Sequence, residues 1–111
     1  MEVRATARYI RTSPYKLRPV VDTVRGKKVD EALVILRFLP VPSARTVAKV
    51  IKSAAANAEN NFEMTPSDLR IVSISVDEGV TMKRLRAGPR GRFKRILKRS
   101  SHINVVVAEE E

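Results

Sequence analysis

An α+β fold is predicted by the order of hydrophobic periodicities along the 111-residue chain. A strand-like alternation opens the sequence, helix-like stretches follow, and two β-branched runs, Leu69 to Val76 and Ile103 to Val107, bracket a basic segment near the end. That segment reads as one long, protruding β-hairpin whose base belongs to the body. The length suits a single domain of residues 1–111, with 1–78 and 101–111 as the body and 79–100 as the arm.

Each element has its own local signal. Residues 2–11 set Val3, Ala5, Ala7 and Tyr9 against Arg4, Thr6, Arg8 and Ile10, the period of a strand with one apolar and one largely basic face. Ser13 before Pro14 is a helix start, and Gly26 is a stop just beyond Val24. Pro19 lies inside that span without the N–H that would bond the Tyr15 carbonyl, so a kink or a later start is expected. Residues 30–38, DEALVILRF, form a short apolar helix with acids in its first turn, closed by Pro40 and Pro42. Ser43 is expected to cap the longest helix, in which Ala44, Val47, Ala48, Ile51, Ala54, Ala55 and Ala58 share one face up to Asn60 and Asn61. Small side chains in SAAANA allow that helix to lie close to a sheet or to another helix.

The hairpin carries the charge. Between Lys83 and Arg99 stand nine Lys or Arg of a formal net charge of +10, which leaves the rest of the chain at +1, and no Asp or Glu occurs from Gly79 to Ala108. Cations on both faces of a ribbon leave it no core face, and a solvated helix would intersperse Glu with Lys. A polyanionic partner is implied, and few large apolar residues accompany the charge, so nucleic acid fits better than a membrane surface. Phe93 is the arm's one aromatic, which favours backbone and shape recognition over base stacking. AGPRG, Ala87 to Gly91, is the turn signal, and pairing about it sets Val76 opposite Ile103 and Gly79 opposite Ser100. Each arm would extend on the order of 30 Å beyond Gly79 and stay mobile until a partner orders it.

Catalysis finds no support in the residues. Asp77 and Glu78 are adjacent, so on a strand they face opposite ways. His102 is the single His and there is no Cys, so no metal set or nucleophile–base pair assembles from local sequence. GPRG lacks the GK[ST] of a phosphate loop. No cofactor and no metal are expected. The absence of Cys fits a reducing compartment, no apolar run approaches a membrane span, and the alternating N-terminus is not a signal peptide, so a cytoplasmic location is expected.

Three stretches resemble, in order, the family of the twenty-second protein of the large ribosomal subunit in its bacterial form: RTSPYKLRPVVDTVRGKKVDEAL, KVIKSAAANAENN and VDEGVTMKRLRAGPRGRFKRILKRSSHINVVV. The resemblance implies helices packed on a small antiparallel sheet, binding to 23S-type rRNA, help in early subunit assembly, and a hairpin that lines the peptide exit tunnel. Its RNA-binding set is Arg4, Arg8, Arg11, Ser13, Lys16, Arg18, Lys83, Arg84, Arg86, Arg90, Arg92, Lys94, Arg95, Lys98, Arg99 and His102. Met82, Lys83, Arg84, Ala87, Gly88, Pro89 and Arg90 would form the tunnel-facing tip. Implied partners are rRNA, neighbouring proteins including the fourth of the large subunit, and the nascent peptide, with no membrane and no homo-oligomer. Tyr15 departs from a basic residue of the family, and Pro19 from an aliphatic one. The alternative is an architectural protein that grips duplex DNA with basic β-arms and inserts Pro89.

Overall fold

The computed structural model describes residues 2–79, 81–91 and 93–109, the side chains at 82–87, 89 and 93–97 excepted. In chain order the elements are β1 (Glu2–Ile10), α1 (Pro14–Asp22), α2 (Val29–Phe38), α3 (Ser43–Phe62), β2 (Leu69–Glu78), β3 (Met82–Ala87), β4 (Phe93–Lys98) and β5 (Ser101–Glu109). The expected α+β architecture of helices on a small antiparallel sheet is present.

Strand β5 takes the centre of a three-stranded sheet, with β1 and β2 antiparallel on either side. Its sequence suits the position: Val105, Val106 and Val107 are all buried, the apolar run of a strand flanked at both edges. Val3, Ala5, Ile71, Ile74, Val76, Ile103, Val105 and Val107 make one apolar face. Helix α3 crosses that face over β1 and β5, α1 lies against β2, and α2 packs on α3. The α3 face is the expected one with Val50 added, and Ala54 and Ala58, both fully buried, permit the close approach. Burial of a side chain the size of Ile51 stabilises the fold by about 1.5–3 kcal/mol.

Local corrections follow from solvent and geometry. Helix α1 starts at Pro14 and continues through Pro19, with no late start. Tyr15 and Pro19 are both exposed, so the carbonyl that lacks its helical donor faces water. The helix stops at Asp22, and Val24 falls in the following turn, which Gly26 closes at φ 77°. Ser43 is the first residue of α3 and makes no side-chain cap; Pro42 precedes it, already in helical dihedrals. In β1 the alternation ends before Tyr9, which has φ 58° and is 65% exposed, because the pairing with β5 shifts between Ala7 and Ile10.

Val76 stands opposite Ile103, and the Gly79 N–H donates to the Ser100 carbonyl at 2.9 Å, as the pairing about AGPRG requires. Strands β3 and β4 pair antiparallel from Met82 opposite Lys98 to Ala87 opposite Phe93. That register is one residue on from the base, so the first arm carries one extra residue between Gly79 and Met82. At the tip a short 3-10 turn, Pro89–Gly91, holds Arg90 and Gly91 in left-handed dihedrals, at φ 58° and 71°. The radius of gyration is 17.0 Å, against about 13 Å for a compact chain of this length, and the long dimension is 64 Å.

Candidate nucleic-acid interface

With the helices on one face, the sheet's other face is open, and the strand period decides which residues it shows. From β1 it receives Arg4 and Thr6, from β5 His102, Asn104 and Val106, and from β2 Ser73, Ser75 and Asp77. Cross-strand rows order these side chains. Thr6 Oγ1 lies 3.0 Å from Asn104 Oδ1 and donates to it, and Asn104 Nδ2 donates to Asp77 Oδ2 at 2.7 Å. Asp77 is therefore a fixed acceptor in a polar ladder, more than a solvated strand-end acid. It also stands opposite His102 in the register, an acid that local sequence around the His does not reveal.

The bulge in β1 has a consequence for His102. The Tyr9 N–H donates to His102 Nδ1 at 3.1 Å, and the two rings meet edge to face, 5.1 Å apart at 89°. Nδ1 is an acceptor, so the neutral ring carries its proton on Nε2. The ring is also close to the root of the arm: a Cβ on Gly79 would lie 3.2 Å from His102 Cε1 and 2.7 Å from Ser100 Oγ. Only a glycine leaves room for both groups.

The same end of the body gathers the next cations. Ser101, fully buried, donates its hydroxyl to the Thr12 carbonyl at 2.5 Å and so ties the start of β5 to the segment carrying Arg11 and Ser13. Arg11 is exposed and Ser13 half-buried; the Ser13 carbonyl accepts the Lys16 and Leu17 N–H groups at the start of α1. Arg18 reaches the Val76 carbonyl at 3.4 Å, which anchors one guanidinium nitrogen and leaves further donors in its fork. Lys16 is exposed but stands about 200° around the helix from Arg18, so the two do not share a line.

The expected body residues thus fall in two places: Arg4 and His102 on the open face, with Arg8 exposed further along β1, and Arg11, Ser13 and Arg18 near the root of the arm. Lys16 lies apart. In the arm Arg90, Lys98 and Arg99 are exposed and Gly88 is half-buried. Side chains of Met82, Lys83, Arg84, Arg86, Ala87, Pro89, Lys94 and Arg95 lie outside the described residues, as does Arg92 altogether. Arg25 pairs with Asp22 at 2.6 Å, largely exposed, so that pair contributes little.

Sequence reasoning missed Tyr9, which backs His102, because its alternation assigned it to the core face. Its site also leaves out Arg37, Arg45, Lys49 and Lys52, exposed cations beside the α2–α3 groove. Their signal was legible: no Asp or Glu occurs from Ala32 to Ala58.

Comparison with known proteins shows the family. Residues 5–108 match the model of the family described as ribosomal protein L22p/L17e. The chain is 58% identical over 109 residues to large ribosomal subunit protein uL22 of Dehalococcoides mccartyi, covering 98% of this chain and all of that one. It is 54% identical over 111 residues to the protein of the same name from Clostridioides difficile, each chain covered in full. The counterpart in a Roseiflexus species is 50% identical over 111 residues, all of this chain and 98% of the other. The chain belongs to the ribosomal protein L22p/L17e family, whose members are structural and not enzymes.

Proposed function

We propose that the chain is a structural constituent of the large subunit of the cytoplasmic ribosome that binds 23S-type rRNA through two connected surfaces. One is the open sheet face and its margin, with Arg4, Arg8, Arg11, Ser13, Arg18 and His102; the other is the arm. Lys16 adds a cation from the far side of α1. Nine Lys or Arg between Lys83 and Arg99, with no Asp or Glu from Gly79 to Ala108, is the observation that carries the reading. By the strand period the sequence would set cations on both faces of such a ribbon, and phosphates supplied from several directions would neutralise both. Arg outnumbers Lys there six to three, which suits bidentate phosphate contact.

The finer roles rest on the family resemblance, with the shape in support. An arm on a 64 Å long molecule can reach rRNA distant from that under the body and hold the two together, which supports a part in early subunit assembly. Its tip, Met82 to Arg84 with Ala87 to Arg90, lines the peptide exit tunnel beside the fourth large-subunit protein and the passing nascent chain. The body works as a monomer and needs no cofactor.

A competition assay tests this reading: large-subunit rRNA fragments against duplex DNA of equal phosphate content, at low and near-physiological salt. Preference for rRNA at both salt concentrations is expected. Equal or tighter binding to DNA would replace the reading with the architectural one.

A further inference from the structure

We propose that the groove between α2 and α3 docks an acidic polypeptide segment that presents apolar side chains, a site on the protein separate from the rRNA surfaces. The groove has a volume of about 960 Å³, and its lining includes Leu33, Val34, Leu39, Val41 and Ala48. Val34 is 55% and Val41 41% exposed, so aliphatic surface is offered to solvent where α2, the Pro40–Pro42 turn and α3 meet.

Charge identifies the occupant. Arg37, Arg45, Lys49 and Lys52 rim this floor, and no Asp or Glu lines it. Arg45, Lys49 and Lys52 recur at helical spacing on the exposed side of α3, and like charges four apart weaken a helix. Arg45 also stands in the first turn of α3, which has no acidic residue there to offset the positive end of the helix dipole. Both arrangements work against the isolated helix and both raise a positive potential over the groove, so the complement is negative.

The floor separates polypeptide from RNA. Phosphates would use the four cations but gain nothing from the aliphatic floor, and unpaired bases need aromatic faces, which the lining lacks. A helix or strand with Leu-like residues inward and Glu or Asp outward uses both features.

The test is a titration of the full chain followed through methyl NMR signals of Leu33, Val34 and Val41, which reports on the groove independently of the arm. The probe is a peptide with Leu at helical i, i+3, i+4 and i+7 positions and Glu elsewhere; polyglutamate and an RNA hairpin are the controls. Saturable shifts of these methyls with the Leu/Glu peptide are expected, weakened about tenfold in the exposed double variant Arg45→Glu, Lys49→Glu, with polyglutamate leaving the methyls in place. Equal shifts with polyglutamate, larger shifts with the RNA hairpin, or peptide-induced shifts confined to the arm would each overturn the proposal.

Discussion

Replacing Ser101 by Ala removes a buried hydroxyl that joins β5 to the β1–α1 connection. Ser101 is fully buried, and its hydroxyl donates to the Thr12 carbonyl at 2.5 Å. Loss of such a bond costs about 0.5–1.5 kcal/mol net, with a further penalty if the abandoned acceptor is sealed from water. Thr12 is only half-buried, so water can recover part of that penalty, and the total is about 1–2 kcal/mol. For a chain of this size that lowers the melting temperature by roughly 5–10 °C. Urea unfolding followed by far-UV circular dichroism measures the loss, with unchanged m-value as the sign that the native state is otherwise intact. Ser53→Ala, exposed in the middle of α3, is the control and should be neutral or slightly stabilising through helix propensity. A Ser101→Ala variant as stable as the parent would refute the claim that this bond holds the arm's root to the body.

Other substitutions probe the remaining contacts. Ile51→Ala, at a fully buried position of α3, should destabilise by about 2–5 kcal/mol in the same assay. Asn104→Ala interrupts the ladder from Thr6 to Asp77 at an exposed site, and a loss of about 0.5–1 kcal/mol is expected, measured against Thr6→Val as a partial break. Gly79→Ala puts a Cβ against Ser100 Oγ and the Ser100 carbonyl; about 1 kcal/mol of destabilisation should accompany a shift of the Tyr9 amide resonance as the His102 ring moves.

Much of the fold was legible because burial and periodicity agree in this chain. Helix α3 and strands β2 and β5 follow directly from their apolar spacing, and the base of the hairpin follows from the turn signal alone. Where prediction failed, a tertiary partner had overridden a local rule. Tyr9 continues the alternation of β1 in sequence, but the register shift against β5 turns it out toward His102. Pro19 breaks a helical bond on paper, yet its acceptor faces water, so α1 continues. The extra residue in the first arm could not be read either, since a register slip leaves no compositional trace. Of the candidate site, the cations were visible as residue types; the placing of Arg11 and Arg18 near the arm's root was not, because it depends on the Ser101–Thr12 and Arg18–Val76 bonds between segments far apart in sequence. The Asp77–Asn104–Thr6 ladder was hidden for the same reason.

The slope of log affinity against log salt, on one rRNA fragment, tests the central claim most directly. It compares the full chain with a variant whose nine arm cations are all Gln, which preserves length and body. Full engagement of all nine would lower the slope by about six to eight, and engagement of most of them is expected to remove the greater part of that. Equal slopes for the two proteins would show that the arm meets no phosphates, and would contradict the account.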